Sequence, residues 1–379
     1  MLRYLTGGES HGPALTGIIE GLPAGLPIDI EQINRDLALR QSGYGRGGRM
    51  AIETDRVRIL SGMRGGMTLG SPLSFMIENK DYANWHEQMN PVAVINDGKR
   101  VTAPRPGHAD LTGTQKYRFT DVRNVLERAS ARETATRVVI GSICRQLLER
   151  FAVRVGFHVV NIGGISTSAV DAGWDMAKVL QSPLFMSDQQ AELKAIEVID
   201  GAKAAGESVG GIFEVVITGT PVGLGSYVHW DRKLDAKLAF ALQSIQAIKG
   251  VEFGRGFECA SLPGSAVHDE IFYSEPQGYY RATNNAGGIE GGMSNGEPII
   301  VRCAMKPIPT LTKPLRSVDI AHRCAVTANT ERSDVCAVPA AAVVGAAVAA
   351  TVVCEEFLRL FGADSIEEIE ERWKRSLSN

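Results

Sequence analysis

The chain repeats part of its own sequence over a long interval, and this repeat limits the folds that it can adopt. At an offset of 198 residues, the segment 8–26 shares nine of its nineteen residues with the segment 206–224. Shorter matches follow in the same order in both halves: Gly45-Arg46-Gly47 with Gly254-Arg255-Gly256, Gly65-Gly66-Met67 with Gly291-Gly292-Met293, and Glu127-Arg128 with Glu331-Arg332. Because solenoid repeats have much shorter periods, we infer a duplicated unit with pseudo-twofold symmetry. We expect residues 1–379 to form one domain, with repeat halves of roughly 1–155 and 205–362.

Hydrophobic periodicity predicts the same plan of elements in each half. The strands are expected at 2–6, 13–20, 57–62 and 71–78, and in the second half at 212–219 and 298–305. The helices are expected at 29–42 and 231–248, each starting at an aspartate suited to N-capping, and at 135–151 and 335–360. Strands joined by short turns form antiparallel sheets. We therefore predict an α+β fold, a β-α-β sandwich with the helices packed between two antiparallel sheets.

One apolar stretch is long enough to span a bilayer. From Val335 to Cys354 the chain carries no charged residue over twenty positions. The stretch is mostly alanine and valine, and Pro339 lies near its start. We therefore predict a helix buried in a large core and no membrane association.

The arginines are unevenly distributed although the net charge is small. The formal net charge of −3 argues against a protein that coats nucleic acid, yet 18 of the 28 arginines lie at or before Arg154. Arginine binds carboxylates and phosphates through two parallel hydrogen bonds. The bias therefore indicates a small ligand that carries several negative charges.

The spacing of the cysteines and the N-terminal residues predict the cellular compartment in which the protein is found. The six cysteines are scattered without a Cys-x-x-Cys pair, so we expect reduced thiols and no metal site. The N-terminal residues lack the long apolar core of a signal peptide. Both features predict a cytoplasmic protein.

Four segments combine arginine with glycine or with a turn, and we predict that they form one anion site. They are the run from Arg40 to Arg49, the turn 105–110, the segment 128–133 and its repeat 331–334. Glycines let backbone amides approach an anion closely. Two of the segments lead into the long helices, whose N-terminal ends favour phosphate.

Two histidines are candidates for proton transfer. His11 lies among glycines and His108 follows a Pro-Gly turn, and neither setting resembles a packed core. A histidine beside a phosphate can protonate that phosphate as it departs. Asp334 lies near the start of a long helix, where an aspartate is more often an N-cap than a base, and only its neighbours Arg332 and Ser333 strengthen its candidacy as a base.

Two short patterns suggest other functions. Gly43-x-Gly45-x-x-Gly48 fits a dinucleotide-binding fingerprint, but it follows a helical pattern where that fingerprint needs a strand. Gly8-x-Ser10-x-Gly12 fits the nucleophile elbow of a serine hydrolase, but only seven residues precede it, too few for the strand and loop that form the oxyanion hole. The hydrolase stays open as an alternative, as does an anion- or flavin-binding regulator without catalysis. Paired proton donors argue against the regulator.

Eight blocks of the sequence together resemble the chorismate synthase family. They are GESHGPALTGIIEGLPAG, RQSGYGRGGRM, RPGHADLTG, RNVLERASARETATR, QAIKGVEFGRGF, NNAGGIEGGMSNGEPI, KPIPTL and ERSDVCAVPAA. The resemblance extends over nearly the whole chain. It implies a β-α-β sandwich, a homotetramer and a reaction in which 5-enolpyruvylshikimate 3-phosphate loses phosphate and its C6 hydrogen to give chorismate.

The resemblance also implies reduced FMN as a cofactor, although the reaction involves no net redox change. The flavin assists loss of phosphate, and the protein supplies orientation and electrostatics. NADPH enters only as a possible reductant of the flavin. Because no nicotinamide fingerprint is evident, we expect an outside reductant.

The family's functional residues fall on specific positions of this sequence. The resemblance implies catalytic roles for His11, His108 and Asp334. It implies substrate binding by Ser10, Arg40, Arg46, Arg49, Arg132 and Arg332. It implies flavin binding by Arg128, Ala129, Ser130, Gln246, Ala247, Gly291, Lys306, Pro307, Ile308, Pro309, Thr310 and Arg332. The sequence differs from the family pattern near Ala346, where many members carry a glutamate. We expect this difference to affect packing or assembly more than the chemistry of the site.

Overall fold

The computed structural model describes residues 2–47, 53–93, 100–167, 175–331, 333–362 and 364–377. In these residues the strands are β1 (Arg3–Gly7), β2 (Ala14–Glu20), β3 (Val57–Ser61), β4 (Met63–Arg64), β5 (Met67–Thr68), β6 (Leu73–Glu78), β7 (Arg154–Ile162), β8 (Ile165–Ser166), β9 (Gly211–Thr218), β10 (Ile248–Phe253), β11 (Ile271–Ser274), β12 (Gly278–Arg281), β13 (Ile289–Glu290), β14 (Met293–Ser294), β15 (Ile299–Met305), β16 (Arg316–Val318) and β17 (Ala325–Thr327). The α-helices are α1 (Ile30–Gln41), α2 (Asp110–Tyr117), α3 (Arg123–Ala129), α4 (Thr134–Glu149), α5 (Met176–Val179), α6 (Gln189–Ala205), α7 (Leu234–Gln243), α8 (Gly264–Val267), α9 (Val338–Phe361) and α10 (Ile366–Ser376).

The first half of the chain forms an antiparallel sheet with the strand order β1-β2-β6-β3. Alternation along β6 shows which face of the sheet is buried. Leu73, Phe75 and Ile77 are fully buried, whereas the residues between them are more exposed. Gly17 of β2 faces Phe75, and a Cβ at Gly17 would lie 2.3 Å from the phenyl ring. The glycine therefore makes room for the aromatic side chain in the core.

A further antiparallel sheet has the strand order β8-β7-β9-β15-β10. Strands β9, β10 and β15 belong to the predicted second half, whereas β7 and β8 precede it. The strands β7-β9-β15-β10 of this sheet follow the same order as β1-β2-β6-β3 in the first sheet. Within this order, β9 and β15 occupy the places of β2 and β6, with which the repeat aligns them at offsets of 198 and 226 residues. Helices and antiparallel sheets in one chain confirm the predicted α+β class.

Helices α4 and α9 pack against each other and connect the two sheets. Helix α4 contacts β2 of the first sheet, whereas α9 contacts β7 and β9 of the second. Helix α1 packs on α4 and β3, and α7 packs on α9 and β10. Small residues allow the close approach of α4 and α9, because a Cβ on Gly141 would lie only 2.3 Å from the carbonyl oxygen of Ala347.

Helix α9 is long and apolar enough to cross a membrane, but its side chains face the protein. In its most apolar stretch of 18 residues, 83% of the residues are buried inside the protein. Its neighbours are the strands of the second sheet and the helices α1, α4 and α7. This burial agrees with the prediction of a core helix.

Ala346, the position at which this sequence differs from many members of the family that it resembles, is a buried residue of α9. It is almost fully buried beside a small cavity that Asp36 of α1 and Ser142 and Arg145 of α4 also line. Arg145 donates to both carboxylate oxygens of Asp36 at 2.7 Å. The side chain at position 346 therefore affects how α1, α4 and α9 pack together.

The predicted strands at 2–6, 13–20, 57–62, 71–78, 212–219 and 298–305 correspond to β1, β2, β3, β6, β9 and β15, and the predicted helices at 135–151 and 335–360 correspond to α4 and α9. Helix α1 begins after Asp29, whose side chain accepts a hydrogen bond from the N–H of Glu31 at 2.8 Å, as predicted. The prediction that a helix starts at Asp231 is wrong. That residue lies in a 3-10 turn, where its carboxylate contacts His229, and α7 begins at Leu234. Strands β7 and β10 were not predicted.

We predict that Gly141→Ala lowers the free energy of unfolding by about 1–3 kcal/mol, the range for overpacking a tight core. The added methyl group would have to displace the backbone of Ala347. Gly201→Ala is the matched control, because Gly201 lies on the exposed face of α6, where an added methyl group would meet no other atom within 4 Å. The control should be neutral or more stable by about 0.5–1 kcal/mol. Urea unfolding of both variants measures the difference, and equal effects would contradict the packing argument.

Candidate active site

A cavity of about 430 Å³ lies at the N-terminal end of α9, where loops from both halves of the chain meet. One wall is apolar and is formed by Ala337, Ala340, Ala341 and Val344 with Ile245 and Met305. The opposite lining is polar, and all four arginine-bearing segments contribute to it. A cavity of this kind suits a ligand with an apolar body and several anionic groups.

Two buried arginines from the first half contribute to the polar lining. Arg132 donates from Nη1 to both oxygens of Asp55, at 2.6 and 2.7 Å, and from Nε to Oδ1 of Asn79 at 2.9 Å. Arg40 donates from Nε to Oγ1 of Thr134 at 3.0 Å, and from Nη2 to the carbonyl of Ala131 at 2.9 Å. These bonds hold both guanidinium groups in place at the cavity.

Each of these arginines keeps one buried nitrogen without a hydrogen-bond partner among the described residues. Arg40 Nη1 lies 3.7 Å from Asp55, and Arg132 Nη2 lies 3.8 Å from Glu53, which are ion-pair distances but not hydrogen bonds. Burial, partly offset by Asp55, lowers the pKa of Arg40 to about 10. An unsatisfied buried donor is costly, so an anion in the cavity would stabilise both groups.

Asp334 is held by the glycine-rich loop and does not cap the helix that follows it. Its Oδ2 lies 2.8 Å from Nη1 of Arg46, and its Oδ1 accepts a hydrogen bond from the N–H of Gly47 at 2.6 Å. Helix α9 starts four residues later, with Ala337 at the N-cap position and no side-chain cap. The structure therefore removes the N-cap interpretation and places a carboxylate at the cavity.

His11 lies between two carboxylates and an aromatic ring. Its Nδ1 is 2.9 Å from Oε2 of Glu127, and its Nε2 is 4.0 Å from Oδ2 of Asp81. The imidazole packs on Trp85 with a centroid separation of 4.5 Å, and Arg123 lies over the same indole ring. The histidine is thereby held in one orientation at the cavity wall.

Glu127 is ionised despite its burial. Burial by itself would raise the pKa of this carboxyl group, but hydrogen bonds from His11 and the charge of Arg123 outweigh burial and lower it. Arg123, which precedes Glu127 by one turn of α3, donates from Nη1 to Oε1 of Glu127 at 2.8 Å. The carboxylate also accepts from the backbone N–H of His11 at 2.8 Å.

His108 makes a similar contact with Asp110, the first residue of α2. Its Nδ1 lies within hydrogen-bond distance of Asp110 Oδ1, and Arg105 Nε donates to Oδ2 of the same carboxylate at 2.9 Å. Arg105 also donates from Nη1 to Oγ1 of Thr310 at 2.9 Å. The turn is thereby tied to the segment of the second half that follows β15.

The segment after β15 contributes the far side of the cavity. Lys306 donates its ammonium to the carbonyl of Gly107 and its backbone N–H to the carbonyl of Ala247 at 3.0 Å. Gln246 donates from Nε2 to Oε1 of Glu133 at 3.1 Å, whereas its own Oε1 is buried without a hydrogen-bond partner in the described residues. That oxygen is free to accept from a ligand.

The structure brings most of the predicted site residues to this cavity. They are Ser10, His11, Arg40, Arg46, His108, Ala129, Ser130, Arg132, Gln246, Ala247, Lys306, Ile308, Pro309, Thr310 and Asp334. Arg49 and Arg332 lie outside the described residues. Three others do not line the cavity: Arg128 donates to the carbonyls of Thr6 and Gly8, Gly291 lies in the β13–β14 turn, and Pro307 lies between two lining residues. The roles of all these residues stay predictions.

The carboxylates behind the histidines were not predicted from the sequence. Two weak signals pointed to Glu127: its match with Glu331 in the repeat, and its spacing of four residues from Arg123 on one helical face. Asp110 stands two residues after His108. Asp81 and Trp85 gave no signal, because a 3-10 turn after β6 brings them to His11 from a distant part of the sequence.

Comparisons with known proteins agree on one family. The family model described as chorismate synthase matches residues 2–358. A chorismate synthase from Alkaliphilus metalliredigens is 63% identical over 375 residues, covering 99% of each chain. One from Geobacter metallireducens is 57% identical over 379 residues, covering 97% of this chain and 96% of its own. A crystal structure of chorismate synthase is similar with a TM-score of 0.78 at 40% identity, covering 100% of this chain and 97% of that one.

We predict that Asp110 contributes to the acid sensitivity of the fold. Contacts with His108 and Arg105 hold its pKa well below the usual range, against the opposing effect of burial. A lowered pKa stabilises the folded state above the unfolded pKa of about 4, and this stabilisation is lost as the pH falls further. In Asp110→Asn the free energy of unfolding should therefore fall less steeply between pH 5 and pH 3 than in the wild type. Urea unfolding across this range measures both slopes, and parallel slopes would contradict the assignment.

Proposed function

The chain belongs to the chorismate synthase family, and we propose that it converts 5-enolpyruvylshikimate 3-phosphate to chorismate by anti-1,4-elimination of phosphate and the C6 hydrogen. It would then be a phosphate lyase in the shikimate pathway. One observation carries the proposal. The cavity gathers anion-binding arginines, two histidines and a carboxylate against an apolar wall.

The charge of the proposed substrate matches the polar lining. The substrate carries two carboxylates and a phosphate, and the unsatisfied nitrogens of Arg40 and Arg132 are donors for such groups. Arg46 lies at the same wall, where Asp334 now neutralises it. Ser10 is buried at the cavity beside His11. These groups account for the uneven distribution of arginine in a nearly neutral chain.

Reduced FMN is the proposed cofactor, and the apolar wall of the cavity is suited to its ring system. Alanine and valine side chains of α9 would offer an apolar surface to a planar ring, and the buried Oε1 of Gln246 would be an acceptor for a ring N–H. Arg128 to Ser130, Ala247 and the segment Lys306 to Thr310 are the further residues proposed to hold the flavin, with Gly291 and Arg332. When bound, reduced FMN would supply electron density for the loss of phosphate. NADPH is proposed only as a reductant of the flavin.

The chain's own acid and base groups would handle the protons. His11 and His108 are proposed as the proton donors, one for the departing phosphate and one for the cofactor. Asp334 is proposed as the group that takes the C6 proton by way of the cofactor. Its present contacts with Arg46 and Gly47 hold the carboxylate at the cavity wall.

The remaining proposals concern architecture and assembly. The shared strand order of the two sheets supports a β-α-β sandwich that arose by duplication within one domain. Exposed side chains of Leu5, Trp230 and Phe240 support association with further copies of the chain, for which we propose a homotetramer. Free thiols at all six cysteines support a cytoplasmic location. We propose no membrane or nucleic-acid partner.

The direct test is anaerobic incubation with 5-enolpyruvylshikimate 3-phosphate and reduced FMN. We expect release of phosphate in step with the appearance of chorismate absorbance, and neither without the reduced flavin. In His11→Ala we expect flavin binding to persist while kcat falls by about 10²-fold or more, the range for a lost general acid. His229→Ala is the matched control, because His229 also contacts a carboxylate but is exposed and lies away from the cavity. Full activity of His11→Ala at neutral pH would remove His11 from the mechanism.

We expect Arg46→Ala to weaken substrate binding by about 1–3 kcal/mol, because a charge-assisted hydrogen bond to an anionic group is lost. Its repeat counterpart offers a control: Arg255 pairs with Glu258 at the surface and does not line the cavity. Arg255→Ala should bind substrate as the wild type does. Steady-state kinetics of both variants measure this, and an unchanged KM and kcat in Arg46→Ala would refute the assignment.

A further inference from the structure

Each histidine of the cavity belongs to a chain of three side chains that ends in a buried carboxylate and an arginine. In the first, His11 contacts Glu127, which accepts from Arg123 at 2.8 Å. In the second, His108 contacts Asp110, which accepts from Arg105 at 2.9 Å. Glu127 and Asp110 are almost completely buried, whereas the histidines are partly exposed to the cavity.

The carboxylates determine which nitrogen of each histidine carries a proton. An ionised carboxylate only accepts hydrogen bonds, and both carboxylates face Nδ1. The contacts described above lower the pKa of both carboxyl groups, so both are ionised at neutral pH. Nδ1 must therefore be the donor, and in a neutral imidazole the proton-free nitrogen is then Nε2.

We propose that Glu127 and Asp110 are positioning residues that hold His11 and His108 with Nδ1 protonated, so that Nε2 of each is the nitrogen that exchanges protons in the cavity. Arg123 acts through Glu127 by keeping the carboxylate ionised and in place. Arg105 does the same for Asp110 and also contacts the His108 ring directly, with Nη2 3.2 Å from Nδ1 and 3.4 Å from Nε2. For His11, Nδ1 lies at hydrogen-bond distance from Glu127, whereas Nε2 lies 4.0 Å from Oδ2 of Asp81, which is too long for a hydrogen bond. The kinetic consequence rests on the proposed function, whereas the protonation of Nδ1 does not.

A similar trio elsewhere in the fold provides a matched control. His158 of β7 contacts Glu214 of β9 at 2.7 Å, and Glu214 accepts from Arg302 of β15 at 2.8 Å. These side chains lie in neighbouring strands of the second sheet and do not line the cavity. Loss of the Glu214 charge should affect stability, as loss of Glu127 does, but it should not affect proton transfer in the cavity.

The kinetic test compares Glu127→Gln, Asp110→Asn and Glu214→Gln, with folding checked by circular dichroism and thermal unfolding. We expect kcat to fall by about 10²-fold in each of the first two with KM changed only a few-fold, because the histidine loses the partner that fixes its orientation and tautomer. Glu214→Gln should retain the wild-type kcat even where its stability is reduced. Equal loss of kcat in all three variants, or no loss in the first two, would overturn the proposal.

The second test needs no turnover. Solid-state ¹⁵N NMR of histidine-labelled wild-type protein at alkaline pH reports which ring nitrogen carries hydrogen, and spectra of His11→Ala and His108→Ala assign the two signals. We expect protonated Nδ1 and proton-free Nε2 in both residues. The opposite tautomer in either residue would overturn the proposal for that residue. If the wild type shows this tautomer but forms no chorismate, the proposed function fails while the positioning role stands.

Discussion

The close packing of α4 against α9 is the constraint on which the rest of the structure depends. Gly141 and Ala347 meet with no space for an additional methyl group, and each helix covers one of the two sheets. This contact also determines where the cavity forms. Thr134 at the start of α4 and Ala337 to Val344 at the start of α9 line the same space. The N-terminal ends of both helices thus lie where anionic groups are favoured.

Around these helix ends the fold holds an unusual number of charges away from water. Arg40, Arg132 and Asp55 are all nearly buried, and such groups persist only when hydrogen bonds and opposite charges compensate for lost hydration. Arg40 Nη1 and Arg132 Nη2 have no hydrogen-bond partner in the described residues, so their lost hydration is only partly compensated. The fold itself thus holds both guanidinium groups at the cavity, and these two nitrogens lie 3.7 Å from Asp55 and 3.8 Å from Glu53. Preorganised groups of this kind lose little energy to reorientation when charge develops in a reaction.

Much of the candidate site could be predicted because its residues stand in short, glycine-rich or helix-leading segments. Arg40, Arg46, His11 and His108 were recognised in this way, and the structure brings them together. The carboxylates were missed for a physical reason: Glu127 and Asp110 act on the histidines through space, and a single acidic residue on a helix gives no sign of its partner. The same limit explains Asp334, whose position before α9 suggested an N-cap until Arg46 and Gly47 were seen to hold it.

The sequence by itself determined the repeat, the alternating strands β2 and β6 with their counterparts, the apolar helix α9 and the family. Periodicity and order are local properties that a reader can count along the chain. Only the tertiary structure decided the positions of β7 and β10 in the second sheet and the partners of each charged group, because β7, β10 and Asp81 are positioned by contacts distant in sequence. The tertiary structure also brought Arg40, Arg46, Arg105 and Arg132, which belong to the arginine-rich part of the sequence, to one cavity lined by both halves.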